Sequence, residues 1–199
     1  MRRGDVGELY FIAPVANIES IIRLGILSHS LAARVTHRSV ALASVQERRE
    51  LVRVSPTRML HDFTNLYLCA RNPAMYYIVK NNPIDDVCLL RISPDVFDLP
   101  DVVVTDRNAA SGGMSRFDPP DAGLDLIDYE EVHAQNWIHP DAAATYNHKL
   151  KKCAEVLVPG KVDSGLILGA YAPTGAALAV VQAAMPGWDV RMAPYPFFR

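Results

Sequence analysis

Apolar residues along this chain fall into short runs broken by proline, glycine and asparagine. Glu8-Leu9-Tyr10-Phe11-Ile12-Ala13 reads as a strand that Pro14 stops. Ile18, Ile21 and Ile22 have helical spacing, with Asn17 placed to cap the start and Gly25 the end. Residues 28–40 read as loop, and Val40–Arg53 reads as a helix with a heavily charged exposed side. Leu66–Cys69 predicts a strand, and Pro73 opens a helix through Val79. Val87–Ile92 and Val102–Thr105 are further buried strands, followed by a turn-rich stretch over 106–124 and a polar, largely helical region over about 125–152. Glu155–Val158 is a strand stopped by Pro159-Gly160, and Val190–Met192 is the last. Short strands, few helices and no regular βαβ rhythm indicate an α+β domain with a largely antiparallel sheet, here taken as one domain over 1–199.

One stretch requires a membrane test, because Ser164–Trp188 carries no charge. Pro173, Pro186 and Gln182 interrupt it, so it divides into a buried strand (Leu166–Tyr171), a turn and a packed helix (about Ala176–Ala184) rather than a membrane span. Asp5 and Glu8 interrupt any apolar leader. Hydrophobic residues make up 50% and charged residues 21% of the 199, which excludes a disordered chain. The 14 prolines argue against a helical bundle. Cys69, Cys88 and Cys153 form no CxxC or His/Cys cluster, so neither a zinc site nor a disulfide framework is indicated and no metal is expected. A cytoplasmic protein without membrane contact is the expectation.

Charge changes the picture more than composition does. Residues 1–80 hold 11 basic and 6 acidic side chains, while 81–199 hold 9 basic and 16 acidic. The basic half is almost all arginine, from Arg23 to Arg71. Guanidinium forks suit two-point contact with phosphate, so this half fits a dinucleotide, a nucleic-acid backbone, or simply a solvated basic face. The net charge of −2 argues against strong nonspecific duplex binding, and a short single strand needs fewer contacts.

Nucleotide-loop and hydrolase-elbow motifs are absent. His61-Asp62 invites comparison with metal phosphohydrolases, but the segment after it reads as strand, and a turn cap is the expected role. Glu155 opens a strand directly after Lys149, Lys151 and Lys152. Two readings stay open on spacing: an exposed strand-end carboxylate paired with Lys151 or Lys152, or a carboxylate at the mouth of the core that needs facing cations or hydroxyls.

Several blocks, in order, resemble the DarT family of DNA ADP-ribosyltransferase toxins. These are Leu9–Ile12 with Asn17–Leu27, Ser44–Arg49, Leu60–Phe63 running to Tyr67, Arg71–Tyr76, Thr105–Arg107 and Lys151–Val158. The resemblance implies a split, mostly antiparallel sheet with flanking helices and NAD as co-substrate in the cleft. It implies Glu155 and Arg49 as the catalytic pair, and Phe11, Ile12, Ala13, Ser20, Leu27, Arg49 and Tyr67 as NAD contacts. It implies Arg71, Tyr76, Asn108 and Lys152 as contacts to nucleic acid, within or beside a recognition loop over about 108–155. The family's first strand carries histidine and threonine where this chain has Phe11 and Ala13, and Phe11 is then expected to stack on nicotinamide. Asn108 stands where some members have histidine. The implied activity is transfer of ADP-ribose to a base of single-stranded DNA, thymine or in some members guanine, by a toxin paired with a macrodomain antitoxin or used against phage. Transfer to RNA, or a non-catalytic nucleic-acid or NAD-binding module, are the alternatives.

Overall fold

The computed structural model describes residues 1–199. β1 (Leu9–Pro14) follows the first apolar run and is stopped by its own proline. α1 (Ile18–Leu24) buries Ile18 and Ile21, and ends at Gly25, whose φ of 84° suits a residue without a side chain. Asn17 sits at the N-cap position but caps nothing. Its amide donates to the Arg38 carbonyl (2.7 Å) and its side-chain oxygen accepts from the Arg38 N–H (3.0 Å), which ties the 33–42 loop to α1. β2 (Ile26–Leu27) comes next, and the 28–40 segment, read from sequence as loop, contains the single turn α2 (His29–Ala32), which Ser28 caps through Leu31. α3 (Ala43–Glu50) is shorter than predicted and buries only Arg49. A hairpin of β3 (Arg53–Ser55) and β4 (Arg58–Met59) leads into β5 (Phe63–Tyr67). Asp62 ends that lead-in as a turn cap, accepting from the Met59 N–H (2.9 Å) and from the Ser30 hydroxyl (2.9 Å).

α4 (Pro73–Asn81) begins with proline, as the sequence predicts. Asn72, fully buried, caps it by accepting from the Met75 N–H (2.9 Å). β6 (Val87–Ile92) and β7 (Val103–Thr105) follow. The 106–124 stretch is less irregular than expected, because it contains β8 (Phe117–Asp118) and α5 (Pro120–Asp125). α6 (Tyr129–His133) and α7 (Ala142–Lys151) then lead to β9 (Glu155–Pro159) and β10 (Lys161–Val162). β11 (Ile167–Ala172), α8 (Gly175–Ala184) and β12 (Asp189–Met192) complete the chain's regular elements. β11 and β12 are parallel, so the charge-free stretch supplies the first strand and the helix of a strand–helix–strand crossover that β12 completes. No helix is long and apolar enough to cross a membrane.

The main sheet has eight strands in the order β12-β11-β6-β1-β5-β9-β7-β8. Every pairing except β11·β12 is antiparallel. β1 pairs with β6 over its whole length, from Leu9↔Ile92 to Pro14↔Val87, but meets β5 only at Tyr10↔Tyr67. The sheet is therefore split into two halves that diverge from one shared residue pair, and the wedge between them is where the cleft opens. Thr64 closes its far end, donating its hydroxyl to the Ile26 carbonyl (3.0 Å). A core of 28 buried residues lies under α1, α5 and α8, including Leu9, Leu90, Val156 and Val181. A smaller cluster on the other face gathers Ile12, Val40, Met75, Val87, Leu89 and Phe197 around α4.

Candidate active site

β9 starts at Glu155, opposite Tyr67 on β5, so the strand register carries this carboxylate to the point where the sheet halves part. Its backbone N–H is held by the Thr105 hydroxyl oxygen (3.1 Å). Its side chain is wholly buried and meets Arg49 at the end of α3, itself 6% exposed. The guanidinium grips the carboxylate with two hydrogen bonds, Nη1 to Oε1 at 3.2 Å and Nη2 to Oε2 at 3.0 Å. The Ala109 N–H adds a third, to Oε1, at 2.9 Å. Burial works against the charge on Arg49, but the Glu155 carboxylate outweighs it and the guanidinium pKa is raised. A buried pair of this kind is sustained by geometry and by satisfaction of every lone pair, which the Ala109 N–H helps to supply.

A cleft of about 1020 Å³ opens in front of this pair. Its walls come from β1, α1, the 24–42 segment, α3, the start of α4, the 108–114 turn and α7. Arg38, Arg48, Arg49 and Lys149 line it, together with His29, His37 and His61, and no aspartate or glutamate does so. In a chain with 22 acidic residues, that exclusion makes the cleft an electropositive hollow suited to an anionic ligand such as a diphosphate. Glu155 itself does not line the cleft, whereas its partner Arg49 does.

The structure brings most of the expected residues together. Phe11, Ile12, Ser20, Leu27, Arg49, Tyr67 and Asn108 all line the cleft. Phe11 occupies the wall as a half-buried ring, and Ser20 donates its hydroxyl to the Asn17 carbonyl (2.8 Å). Burial and the nearby Glu155 carboxylate push the Tyr67 phenol far above its ordinary pKa, so it stays protonated. Four residues are placed elsewhere. Ala13 is buried in the main core and does not line the cleft. The Arg71 guanidinium carbon sits over the rings of Phe198 (3.9 Å) and Tyr195 (4.5 Å), and the side chain donates to the Tyr195 carbonyl, which engages it with the C-terminal tail. Tyr76 joins the same tail, edge-on to Phe198 (5.2 Å) and Trp137 (6.1 Å). Lys152 is fully buried, with Nζ donating to the carbonyls of Val132 (2.9 Å) and Ala134 (2.7 Å). Nor does Glu155 pair with Lys151, whose ammonium meets Glu131 instead.

Two features were not legible in the sequence. The first is the Ala109 N–H, since a backbone donor has no signature of its own. The signal lies one residue earlier. Asn108 Oδ1 accepts from the Ala110 N–H (2.9 Å), and the Asn108 N–H donates to the Leu150 carbonyl (2.9 Å), a turn that aims Ala109 at the carboxylate. The second is the stacked pair His29 and His61 on the cleft wall, with ring centroids 4.0 Å apart.

A split antiparallel sheet with a buried arginine–glutamate pair at its seam, opening on a cation-lined cleft, defines an ADP-ribosyltransferase fold. Residues 10–197 match the family described as ssDNA thymidine ADP-ribosyltransferase, DarT, and the chain belongs to that family. It is 27% identical over 196 residues to a DNA ADP-ribosyl transferase–DNA ADP-ribosyl glycohydrolase fusion protein of Thermosipho africanus, covering 96% of this chain and 49% of the relative. It is 30% identical over 160 residues to a DNA ADP-ribosyl transferase of Thermus sp., covering 75% of this chain and 73% of that one. The chain thus spans about half the length of the Thermosipho protein. Among solved structures, Thermosipho africanus DarTG in complex with ADP-ribose is similar at a TM-score of 0.83 and 26% identity, over 96% of this chain and 51% of that one. Thermus sp. 2.9 DarT in complex with ADP-ribosylated ssDNA shares the fold at a TM-score of 0.83 and 24% identity, over 97% of both chains.

Proposed function

We propose that this chain is an NAD-dependent mono-ADP-ribosyltransferase that modifies thymine in single-stranded DNA. The observation that carries the proposal is the Arg49–Glu155 pair buried behind a cleft whose wall holds cations and no carboxylate. Departure of nicotinamide from NAD leaves positive charge on the ribose, and a fixed carboxylate stabilises such an oxocarbenium-like state. Glu155 supplies that carboxylate, and it accepts the ribose 2′-hydroxyl once the Arg49 fork that covers it opens to the dinucleotide. Arg49 cannot lose its proton, so it serves as an anchor for phosphate or for the target base. Phe11, Ile12, Ser20, Leu27 and Tyr67 form the wall on which the dinucleotide lies, with Phe11 offering its ring to nicotinamide. Asn108 sits beside the pair, within reach of an entering base. The relatives support this reading by what they are called: one a DNA ADP-ribosyl transferase, one in complex with ADP-ribosylated ssDNA, one fused to a glycohydrolase.

The fusion further supports a toxin whose modification a macrodomain antitoxin reverses. The test of the central proposal is incubation with labelled NAD and single-stranded oligonucleotides, DNA and RNA in parallel, followed by mass spectrometry of the product. Label on thymine of DNA is expected from the wild type and none from Glu155→Ala. Label on RNA alone, label on a different base, or oligonucleotide binding without nicotinamide release would each replace it.

A further inference from the structure

Attack by thymine through a ring nitrogen has a proton requirement that the Arg49–Glu155 pair does not meet. The only unsubstituted ring nitrogen of thymine in DNA carries a hydrogen, which must leave for a stable product to form. Arg49 is a permanent cation. Glu155 is engaged on both oxygens by Arg49 and on Oε1 by the Ala109 N–H. Among the other ionisable groups on the cleft wall, Arg38, Arg48 and Lys149 are cations and Tyr67, Tyr77 and Tyr146 are phenols. The buried Cys153 thiol is pushed up to about 12. Three histidines remain. His37 lies in the exposed loop, with Nδ1 against the Val35 carbonyl (3.0 Å), and His29 is exposed at the start of α2.

His61 differs from both. It is half-buried, and its Nε2 faces Oε1 of Gln46 at 3.1 Å. With the Gln46 oxygen as the acceptor, that contact puts the ring proton on Nε2 and leaves the Nδ1 lone pair as an acceptor. Nδ1 makes no hydrogen bond within the protein and is not a buried unpartnered atom, and the residue lines the cleft. Gln46 and Arg49 lie three residues apart on α3, so the helix that sets the tautomer also carries the catalytic arginine.

We infer that His61 is the general base that takes the ring N–H proton of the target thymine. This rests on the reading of the chain as a thymine-modifying transferase. Nδ1 accepts the proton. The nitrogen pair released by that transfer forms the new bond to ribose C1′. The bond from C1′ to nicotinamide breaks with its electron pair returning to the pyridinium nitrogen, so nicotinamide leaves neutral. His61 then returns its proton to water.

The surroundings keep the ring neutral. Burial, the stacked His29 on α2 and the Arg49 guanidinium on α3 lower its pKa, against smaller opposing contributions from Glu50 on α3 and from Asp62 beside it. The imidazole is then a competent base at neutral pH, since it is unprotonated above a pKa lying below the ordinary histidine value.

The test compares wild type, His61→Gln, Gln46→Glu and His29→Ala on a thymidine oligonucleotide, scoring both base-linked ADP-ribose and free ADP-ribose across pH. In His61→Gln the ratio of base-linked to free product is expected to fall about 100-fold, and its transfer rate to climb with pH as the base ionises unaided. An oligonucleotide carrying 5-fluorouracil, whose ring N–H is more acidic, should recover much of that loss. Gln46→Glu places a carboxylate on Nε2, and should move the acid limb of the wild-type profile to higher pH. Unchanged ratio and pH profile in His61→Gln, or loss confined to His29→Ala, overturns the assignment while leaving the transferase reading intact. No transfer by wild type, or full transfer by Glu155→Ala, overturns the transferase reading itself.

Discussion

Arg49 closes on Glu155 with both arms of its guanidinium, at 3.2 and 3.0 Å, and seals the carboxylate completely from solvent. Two elements 106 positions apart in the chain are thereby joined by one ion pair, so α3 and β9 are positioned by the same contact that holds the chemistry. Removing one partner strands the other. Arg49→Met leaves a buried carboxylate with only the Ala109 N–H, and is expected to cost about 3–5 kcal/mol. The double variant Arg49→Met/Glu155→Gln should recover a large part of that loss. Urea unfolding of the two single variants and the double variant gives the coupling directly. Simple additivity would mean that the pair is not a stabilising unit.

Charge alone does not reproduce the fork. Arg49→Lys keeps a cation near Glu155, but an ammonium cannot hold both carboxylate oxygens in one plane. The substitution should spare more stability than Arg49→Met while lowering ADP-ribosyl transfer at least 100-fold, because the carboxylate loses its fixed orientation toward the ribose. Transfer within a few-fold of wild type would show that position 49 contributes charge and nothing more. Thermal unfolding and labelled-NAD transfer on the same preparations separate the two effects.

The element pattern was largely legible, because most strands are continuous apolar runs ended by proline or glycine. β1, β6 and β9 follow this rule, as does the division of the charge-free stretch into β11, a turn and α8. The 28–40 segment was harder, since α2 is a single turn whose only local mark is the Ser28 cap. Glu155 was the instructive case. Three lysines just before it made a surface pair the simple reading, whereas the true partner lies in α3, a helix so polar that nothing in its pattern marks Arg49 as its one buried residue. Only the ordered resemblance joined the two. Lys152 misled for the converse reason. A lysine in a run of lysines looks solvated, and the two carbonyls that bury it belong to a segment about twenty residues away.

Gly25 sits where α1 turns into β2 on the cleft wall, with φ of 84° and its N–H donating to the Ile21 carbonyl (2.8 Å). A Cβ there would lie 2.5 Å from the Val162 carbonyl oxygen, which is backbone of β10 and cannot swing aside. Gly25→Ala must therefore accept a left-handed conformation and push β10 from β2. A loss of about 3 kcal/mol is expected, summing roughly 1–2 for the backbone and the rest for the clash. NAD affinity should weaken with it, because Leu27 follows on the same wall. Calorimetric unfolding together with NAD titration tests both, and an unchanged melting temperature would refute the packing argument.

Lys152 gives the last prediction a sign. Burial lowers its pKa below the ordinary 10.5, outweighing the opposite pull of Cys69. Between that lowered value and 10.5 the unfolded chain binds more protons at this site than the folded one, so its contribution to stability rises with pH across that window. Below the window the full cost of burying an ammonium is present. Above 10.5 it is gone, and the neutral amine still has two N–H bonds for the Val132 and Ala134 carbonyls. Lys152→Met orphans both carbonyls and should destabilise by about 2 kcal/mol at neutral pH. The gap between wild type and variant should widen as pH climbs toward 10.5, because only the wild type has a proton to lose there. Chemical denaturation of both proteins from neutral to alkaline pH measures that gap, and a gap that stays constant or narrows would mean that the ammonium is not desolvated in the fold.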